Sequence, residues 1–483
     1  MKLLDMMRNI SFKLVQGDDR EIGGIVIDSR KVKKGDIFIC IDGLHMDGHN
    51  YIESAVSAGA AAVLVSKEVS VKPAVAVVKV ENTRAAMAVM AGNFYNWPSK
   101  NYGLIGITGT NGKTSSTYFV EAVLKELGKK YGIIGTVSTR IGDVPVKTKF
   151  ATSTTPDPVE LQQIFEEMKE AEVDNVVMEV TSHALELNKM EGLHFAVSMF
   201  TNLTQDHLDL HGSMENYKLA KAELFKMSDI SVINIDDEYG HFMCDSAAGE
   251  ILTYSVNKPS NLQAKNVVYT SDSVKFDLLL DELTHFDIPI PGRFTVYNAL
   301  GVIGICLAMK IPVEIIQKAL KNMKGVPGRI QRIPNDKGIG VFVDYSHTPD
   351  SLEKIITSVR EFTDGKIITA FGCGGDRDRT KRPIMGEISA KLSDFTVITS
   401  DNPRTENPDA IVDEIEVGVQ PVTENYIKLV DRREAIFYAI NMARTGDSVI
   451  IAGKGHENYQ ILAEGTIHFD DAEEAASALD KKE

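Results

Sequence analysis

The sequence predicts an α/β protein of three domains: a small α/β N-terminal domain, a central domain with a doubly wound, mostly parallel sheet and a phosphate loop, and a Rossmann-like C-terminal domain. Three observations predict this class. The chain has 483 residues, which is too many for one hydrophobic core. Apolar strand-like runs alternate with segments of helical spacing along most of it. Near residue 110, a glycine-rich turn joins an apolar run to a helical pattern.

Residues 1–97 make up the predicted N-terminal domain. Strands are expected at 24–27, 36–41 and 61–65, and a helix is expected over 51–58. The segment 97–99, Trp-Pro-Ser, is predicted to be a linker, because proline disfavours helix in the residue before it.

Residues 98–326 make up the predicted central domain. After the glycine-rich turn, strands at 175–180, 197–200 and 231–235 alternate with helical segments, which predicts a mostly parallel sheet. Residues 250–290 carry short strand runs and predict an inserted antiparallel patch. An apolar helix over 296–309 and another beginning at Pro312 complete the domain.

Residues 327–483 make up the predicted C-terminal domain, with strands at 340–343, 366–371, 395–399 and 448–452. In open α/β sheets, ligands bind at the carboxyl ends of the strands. Polar or glycine-rich segments stand at all four ends, namely Asp344, 372–377, 401–404 and 453–457. A charged, glycine-rich loop can be solvent-facing filler, but the last three of these segments share one sheet edge, which predicts a ligand site.

The phosphate loop is the most specific single signal. The consecutive residues are Gly109, Thr110, Asn111, Gly112, Lys113, Thr114 and Ser115. Glycine lets backbone N–H groups approach phosphate oxygens, the lysine reaches the outer phosphates, and the threonine hydroxyl holds Mg²⁺. The usual eight-residue signature has glycine where Ile107 stands, so the loop is a shortened form.

Three further side chains are candidates for chemistry in the central domain. Glu179 ends a predicted strand, where a carboxylate either binds Mg²⁺ or caps the next helix. The segment 201–212 holds two histidines and two aspartates, which predicts either a metal or phosphate site or a polar turn. His207 is the stronger candidate for such a site. His211 is expected to be an ordinary histidine whose ring nitrogens are hydrogen-bonded within a polar turn. By its residues alone, Lys221 reads as a solvated lysine on a helix.

Composition excludes several classes of function. The formal net charge of −16 disfavours nucleic acid and anionic membrane as partners. The four cysteines lie far apart without a Cys-x-x-Cys pair, which fits a reducing cytosol and argues against disulfides or a zinc knuckle. Neither a signal peptide nor a stretch of transmembrane length is found. We expect a cytoplasmic monomer with no nucleic-acid partner and no membrane insertion.

Taken together, these motifs resemble the Mur ligase family of ATP-dependent amide ligases, over essentially the whole chain. The resemblance is carried by ordered blocks at 28–30, 35–38, 109–115, 154–156, 179–183, 201–203, 206–209, 221, 297–299, 328–329, 344–349, 374–378, 401–404 and 453–457. It implies an ADP-forming ligase that adds meso-2,6-diaminopimelate to UDP-N-acetylmuramoyl-L-alanyl-D-glutamate in peptidoglycan precursor synthesis.

The resemblance also implies roles for individual residues. The UDP part of the substrate is assigned to Ile27, Ser29, His45, Met46 and Asp47, and its peptidyl-muramoyl part to Ser153, Thr154, Thr155, Thr181 and Lys189. The family often has Ser at position 181 and Arg at position 189; both changes keep a donor, but Lys lacks the bidentate fork of Arg.

For ATP, the resemblance implies the phosphate loop together with Asn298, Arg329, Asp344 and His347. It assigns one Mg²⁺ to Thr114 and Glu179, and a second to His207 and a carbamylated Lys221. Carbamylation replaces an ammonium by an anionic oxygen donor, which hard cations prefer. Lys113, Glu179, His207 and Lys221 are the implied catalytic residues.

The C-terminal domain contains the motif that indicates which amino acid is added. In the family, Asp-Asn-Pro-Arg marks diaminopimelate addition, and here it stands as Asp401, Asn402, Pro403 and Arg404. Arg404 and Arg377 each bind one carboxylate in this interpretation, while Glu457 and the Gly453 carbonyl accept from the ammonium. Lysine would leave Arg404 unpaired.

Three alternatives stay open from the sequence. One is the lysine-adding ligase of the same type. Another is a folylpolyglutamate synthase, disfavoured by the extra N-terminal domain and by the 401–404 motif. The third is a non-catalytic ATP-binding regulator, disfavoured because all four implied catalytic residues are present.

Overall fold

The computed structural model describes residues 1–43, 46–150, 154–270 and 272–482, with only the backbone of Asp209. By its internal contacts the chain divides into two compact units. The first comprises Met1–Leu262 and Gly301–Ile315, and the second comprises Gln263–Leu300 and Ile316–Glu483.

The N-terminal part of the first unit is built on a five-stranded sheet. Its strands are β1 Lys13–Gln16, β2 Ile25–Val26, β3 Ile37–Ile39, β4 Ala62–Val65 and β5 Ala76–Lys79, in the order β1-β5-β4-β3-β2. Its α-helices are α1 Leu3–Met6, α2 Ile52–Ser57 and α3 Thr83–Phe94, and short 3₁₀ helices cover Ser29–Lys31, Gly48–Tyr51 and Pro98–Asn101. Only β1 is antiparallel to its neighbour. Apolar clusters cover both faces, as expected of a parallel sheet.

The rest of the first unit is built on a nine-stranded sheet. Its strands are β6 Gly103–Thr108, β7 Tyr131–Ile134, β8 Thr139–Ile141, β9 Val144–Pro145, β10 Asn175–Glu179, β11 Phe195–Phe200, β12 Ser228–Asn234, β13 Glu250–Ser255 and β14 Leu262–Gln263. The order is β14-β13-β12-β11-β6-β10-β7-β8-β9, and the pairs from β13 to β7 are parallel. Its helices are α4 Lys113–Glu126, α5 Pro158–Glu170, α6 Ser182–Glu186, α7 Leu208–His211, α8 Met214–Lys226 and α9 Gly240–Ser246.

This topology places three candidate segments at one edge. Strands β6, β10 and β11 are parallel neighbours, so their carboxyl ends coincide. Strand β6 ends at Thr108, directly before the phosphate loop, and β10 ends at the candidate carboxylate Glu179. Strand β11 ends at Phe200, directly before the histidine-rich loop.

The second unit begins with a small antiparallel sheet of β15 Lys265–Tyr269, β16 Val274–Leu279 and β17 Leu283–Ile288. Two helices follow, α10 Arg293–Ala308 and α11 Val313–Lys321, which run across the division between the units.

The larger sheet of this unit has six strands in the order β18-β19-β23-β20-β21-β22. The elements are β18 Gln331–Arg332, β19 Gly340–Asp344, α12 Pro349–Arg360, β20 Ile367–Phe371, α13 Lys381–Leu392, β21 Phe395–Ile398, α14 Pro408–Val419, β22 Tyr426–Lys428, α15 Arg432–Met442, β23 Ser448–Ala452, a hairpin of β24 Tyr459–Leu462 and β25 Gly465–His468, and α16 Asp471–Lys481. Strands β19 to β22 are parallel, and helices pack on both faces over two apolar clusters.

The predicted fold class is confirmed, including the parallel central sheet, the phosphate loop between β6 and α4, and the doubly wound C-terminal sheet. One prediction was wrong in part. Residues 265–288 form the expected antiparallel patch, but Glu250–Ser255 extends the central sheet as the parallel partner of β12. The short, half-exposed strand β13 gave too weak an apolar signal for its partner to be read from sequence. The domain boundaries at 97/98 and 326/327 stay predictions.

Candidate active site

The phosphate loop has the backbone conformation that its glycines predict. Gly109 and Gly112 have φ angles of +150° and +88°, in the region that L side chains rarely adopt. A Cβ on Gly109 would lie 1.8 Å from the Thr201 hydroxyl oxygen, so no larger residue fits. The loop ends where α4 begins, and the helix N-terminus offers N–H groups to an anion.

Lys113 folds back over this loop. Its Nζ donates to the carbonyl oxygens of Gly109 and Thr110, at 2.8 and 2.9 Å. The ammonium is therefore held against the backbone of the loop, where a lysine of this motif can reach phosphate oxygens.

Glu179 lies beside the loop and is 1 % exposed. Its Oε2 accepts from the hydroxyls of Thr114 at 3.1 Å and Thr136 at 3.0 Å, and its Oε1 accepts from the Thr136 N–H at 3.1 Å. Helix α6 is capped by the Thr181 hydroxyl, which accepts from Ala184 N–H. The carboxylate is thus turned towards the phosphate loop, and the helix-capping alternative for Glu179 is wrong.

Lys221 is buried, in contrast to the solvated lysine that its surrounding sequence suggests. It is 1 % exposed, and its Nζ donates to the Gly109 carbonyl oxygen at 2.9 Å. Burial, and secondarily the charge of Lys113, lowers the pKa of Lys221 well below its ordinary value. The buried amine next to the phosphate loop therefore loses its proton more readily than a solvated lysine does.

The histidine-rich loop forms an aromatic cluster with Tyr217. The His207 ring lies 4.9 Å from that of His183, and the His211 ring stacks on Tyr217 at 4.8 Å. His207 adopts a positive φ of 52°, and partial burial lowers its pKa, so the ring is a neutral donor of a nitrogen lone pair.

His211 differs from its prediction. Its side chain is fully buried and neither ring nitrogen has a hydrogen-bond partner; the nearest charged group is Glu186 Oε2, 3.9 Å from Nδ1. It is a packing partner of Tyr217 rather than a histidine satisfied within a polar turn.

The first predicted Mg²⁺ set fits the ion. Thr114 and Glu179 place a hydroxyl and a buried carboxylate within hydrogen-bond distance of each other, and such hard oxygens are what Mg²⁺ prefers. Among the described residues, no group of three or more His, Cys, Asp and Glu side chains is arranged to hold a metal. His207 and Lys221 fit a second ion only once the amine of Lys221 carries a carbamate oxygen.

Threonines line the neighbouring loop ends. The Thr154 hydroxyl lies 3.0 Å from that of Thr136, and the Thr155 hydroxyl donates to the Glu179 carbonyl oxygen at 2.9 Å and lies 3.2 Å from the Thr181 hydroxyl. The Lys189 ammonium pairs with Asp157 at 2.7 Å. These four predicted substrate residues therefore lie around the backbone of Glu179 and the ends of α5 and α6. Ser153 lies outside the described residues.

The predicted UDP-binding residues lie at the ends of short 3₁₀ helices. Ile27 and Met46 are 44 % and 68 % exposed, and Asp28 caps the helix that starts at Ser29. Asp47 accepts from His49 N–H at 2.9 Å and from Lys67 Nζ at 2.7 Å, and these contacts, led by Lys67, lower its pKa. His45 lies outside the described residues.

In the second unit, two of the predicted nucleotide residues lie against the ring of Tyr345. The Arg329 guanidinium lies 4.9 Å from the tyrosine ring, and the His347 ring lies 4.7 Å from it. Asp344 accepts from Ile330 N–H at 2.8 Å. Asn298 is buried on α10.

The predicted amino-acid site lies at the carboxyl ends of β20, β21 and β23. Asp401 and Asn402 are buried, and the Asn402 amide donates to Glu457 Oε2 at 2.9 Å. Gly453 has a φ of +123°, and a Cβ there would lie 2.5 Å from Asp401 Oδ2.

The two arginines of this site lie on neighbouring loops. The Arg404 guanidinium donates to the Gly375 carbonyl oxygen at 2.8 Å, whereas the Arg377 guanidinium is exposed. The structure thus brings the 374–377 and 401–404 loops together.

Sequence reasoning missed several supporting residues. Lys454 is fully buried between Asn402 Oδ1 and Glu457 Oε2, 3.3 and 3.5 Å from its Nζ. Tyr217 hydrogen-bonds Thr110 of the phosphate loop at 3.2 Å. A signal existed for Tyr217, because it lies four residues before Lys221 and so shares its helix face. None existed for Lys454, since a lysine in a glycine-rich loop is usually exposed.

A phosphate loop facing a buried carboxylate, a buried lysine, and a basic loop cluster on a second α/β sheet define the class of ATP-dependent ligases. Three family models match in sequence order: "Mur ligase family, catalytic domain" over 21–95, "Mur ligase middle domain" over 107–306, and "Mur ligase, glutamate ligase domain" over 328–455. The chain belongs to the Mur ligase family.

Relatives match along the full length. A protein of Clostridium acetobutylicum named UDP-N-acetylmuramoyl-L-alanyl-D-glutamate--2,6-diaminopimelate ligase 1 is 47 % identical over 477 residues, covering 98 % of each chain. A similarly named ligase of Clostridium botulinum is 45 % identical over 479 residues, again covering 98 % of each. A solved structure of a ligase of this name aligns with a TM-score of 0.70 at 30 % identity, covering 95 % of both chains.

Proposed function

We propose that this chain is an ADP-forming amide ligase that joins meso-2,6-diaminopimelate to the D-glutamyl carboxylate of UDP-N-acetylmuramoyl-L-alanyl-D-glutamate. The observation that carries the proposal is the convergence of Lys113, Thr114, Glu179 and Lys221 at the ends of β6 and β10. The full-length relatives named for this reaction support the choice of substrates. The reaction belongs to cytoplasmic peptidoglycan precursor synthesis, with the enzyme acting as a monomer. Among the described residues, no helix is long and apolar enough to cross a membrane.

The phosphate loop binds ATP. Its backbone N–H groups and the N-terminus of α4 surround the phosphates, and Lys113 neutralises charge that develops on the transferred phosphoryl group. In this proposal Asn298, Arg329, Asp344 and His347 also serve in nucleotide binding.

Thr114 and Glu179 hold Mg²⁺, and His207 with carbamylated Lys221 holds a second ion. Bound there, Mg²⁺ supplies Lewis-acid stabilisation of charge on phosphate and carboxylate oxygens. The chain's contribution is a fixed geometry, since Glu179 receives three hydrogen bonds that orient both of its oxygens.

The nucleotide substrate is bound by the N-terminal loops and by the threonines around Glu179. Ile27 and Met46 offer exposed apolar surface, while Ser29 and Asp47 offer polar groups. Thr154, Thr155, Thr181 and Lys189 donate to the peptidyl-muramoyl part. This places the D-glutamyl carboxylate near the phosphate loop.

The chemistry proceeds in two steps. A carboxylate oxygen of the substrate attacks the γ-phosphorus, the bond to the β,γ-bridging oxygen breaks, and ADP leaves as an acyl phosphate forms. The amine of diaminopimelate then attacks the acyl carbon to give a tetrahedral oxyanion, which collapses to the amide and releases inorganic phosphate. The amine loses its proton in this step.

Diaminopimelate is selected by paired charges. Arg404 and Arg377 each bind one carboxylate, while Glu457 and the Gly453 carbonyl accept from the distal ammonium. Asp401, Asn402 and Pro403 shape the loop that carries Arg404. Lysine lacks the distal carboxylate and leaves Arg404 without its anion, which is costly in a closed site.

The test is ADP release with the UDP-linked dipeptide, comparing meso-diaminopimelate and L-lysine at equal concentration. We expect turnover with diaminopimelate and little with lysine. Turnover with lysine alone would keep the ligase assignment and overturn the specificity. Absence of turnover with either would favour the non-catalytic regulator.

A further inference from the structure

Two loops of the second unit carry Arg377 and Arg404, which the proposed function assigns to the two carboxylates of diaminopimelate. The distance between the two guanidinium groups must therefore match the distance between those carboxylates. We infer that Glu406, held by the buried Arg382, is the positioning residue that fixes the loop of Arg377 against the loop of Arg404. The inference rests on the proposed function and deepens it, because it names what sets the geometry of the amino-acid site.

Arg382 anchors the arrangement from within α13. Its side chain has no exposed surface, yet it carries a full charge. Its Nη1 donates to Glu406 Oε2 at 2.9 Å and to Glu414 Oε2 at 2.8 Å, and its Nη2 donates to Glu406 Oε1 at 2.8 Å. Burying such an ion pair contributes little net stability, whereas its directional bonds fix positions.

Glu406 extends this anchor to the first loop. Its Oε1 also accepts from the backbone N–H of Asp376 at 2.5 Å, and Arg382 Nη2 lies 3.3 Å from the Gly374 carbonyl oxygen. One carboxylate therefore connects the loop that follows β20 to the loop that follows β21.

The two loops are also in direct contact. Gly375 N–H donates to the Asn402 carbonyl oxygen at 2.9 Å, and the Thr405 hydroxyl donates to Asp376 Oδ1 at 2.7 Å. A Cβ on Gly375 would lie 1.9 Å from the Pro403 carbonyl oxygen, so the backbones touch without space for a side chain. A shift of one loop must therefore move the other.

Each loop contains a residue that needs to be held in place. Asp376 and Arg404 both have φ of +54°, a conformation that residues other than glycine rarely adopt without external support. These two positions lie directly beside Arg377 and on Arg404 itself. The contacts of Glu406 and Thr405 with Asp376 provide that support at Asp376, and at Arg404 the backbone N–H donates to the Ile461 carbonyl oxygen at 3.0 Å.

Glu406 also contributes a negative charge to a region rich in positive charge. Arg377, Arg404 and Arg382 bring like charges to one small region, which a carboxylate offsets. Its hydrogen bonds, first with Arg382 and then with the Asp376 N–H, lower the pKa of Glu406 to about 2, so it is ionised at neutral pH.

The experiment compares Glu406→Gln with Glu474→Gln in the full-length chain. Glu474 is a matched control, because its two carboxylate oxygens also accept from one arginine, Arg433, but it lies on α16 and contacts neither loop. Two quantities are measured: the KM values for diaminopimelate, ATP and the UDP-linked dipeptide, and hydrogen–deuterium exchange of the protein without ligands.

We expect Glu406→Gln to raise the KM for diaminopimelate about 10-fold or more, with the other two KM values changed less than about twofold, and to speed exchange at 374–377 and 401–406 only. Glu474→Gln should show neither effect. An unchanged KM for diaminopimelate, or unchanged exchange in both loops, would overturn the inference. A uniform fall in kcat with unchanged KM values would indicate a merely structural role.

The exchange measurement separates this inference from the proposed function. If the wild-type chain does not turn over diaminopimelate, the proposed function fails, while loop exchange still decides whether Glu406 positions the two loops. If Glu406→Gln does not fold, Glu406→Asp retains the charge but shortens the side chain, and the same two readouts apply.

Discussion

The amine nitrogen of Lys221 lies 2.9 Å from the carbonyl oxygen of Gly109, so a residue of helix α8 contacts the phosphate loop directly. The Tyr217 ring lies 4.7 Å from the same nitrogen, one helical turn earlier. Burial and the nearby charge of Lys113 lower the pKa of Lys221, which favours the neutral amine, the form that reacts with CO₂. Lys221 is therefore suited to carry the carbamate that the proposed second Mg²⁺ site would need.

Lys221→Arg should abolish most activity, because arginine keeps a long side chain with N–H donors but cannot form the anionic carbamate. We expect kcat to fall about 100-fold or more, in line with the loss of an electrostatic group near developing charge. Steady-state ADP release measures this effect, and ¹³C NMR after growth in ¹³C-bicarbonate should show a carbamate carbon that the variant lacks. Lys218→Arg, on the same helix and paired with Glu215, is the control. Full activity in Lys221→Arg would contradict the assignment.

Removal of divalent cations should stop the reaction, and Mg²⁺ should restore it. Glu179→Gln keeps the shape of the side chain but loses the charge that holds the ion, so we expect the Mg²⁺ concentration for half-maximal rate to rise about 10- to 100-fold. The exposed Glu191 in the same unit provides the comparison variant Glu191→Gln. A Mg²⁺ dependence in Glu179→Gln that matches that of the wild type would contradict the assignment of Glu179 as a Mg²⁺ ligand.

Arg404→Ala should lose most activity with diaminopimelate, because the proposed bidentate contact with its carboxylate is lost. A charge-assisted hydrogen bond contributes about 1.5–3 kcal/mol, which predicts a fall in kcat/KM of about 10- to 100-fold. Arg404→Lys should recover only part of this loss, since lysine lacks the planar fork. Retained wild-type kcat/KM in Arg404→Ala would remove the basis for diaminopimelate specificity.

Strand ends were predictable from the sequence, and buried charges were not. Gly109, Glu179 and Asp401 each follow an apolar run, and parallel pairing brings such ends together, so local pattern was sufficient. Lys221 and Arg382 lie on helices among other polar residues, where a lysine or arginine normally faces water. Their burial depends on contacts with residues far away in sequence, and the local pattern of apolar and polar residues does not predict such contacts.

The stability effect of Glu406 should depend on pH in a defined direction. The ordinary carboxyl pKa of 4.5 is lowered to about 2 in the folded chain, first by Arg382. A depressed carboxyl pKa adds stability that is fully present above the unfolded value and is lost as the pH falls through the folded value. The difference in thermal midpoint between wild type and Glu406→Gln should therefore be constant above about pH 5.5 and shrink between pH 4.5 and 2. A difference that grows on acidification would contradict this linkage.

Arg432 and Asp471 form an ion pair in which neither side chain has exposed surface. Arg432 also donates to the carbonyl oxygens of Ser400 and Ala452, at 3.2 and 3.0 Å, the residues that immediately precede two loops of the predicted amino-acid site. Removal of one partner leaves an uncompensated buried charge, so Arg432→Met should lower the free energy of unfolding by about 3–5 kcal/mol.

The adjacent Arg433 pairs with Glu474 at the surface, and its side chain is 61 % exposed. Arg433→Met should therefore cost less than about 1 kcal/mol. The double variant Arg432→Met/Asp471→Leu should recover much of the lost stability, because both charges are then gone. Denaturant unfolding of the four proteins measures these differences. Equal losses in Arg432→Met and Arg433→Met would show that the buried charge carries no special penalty.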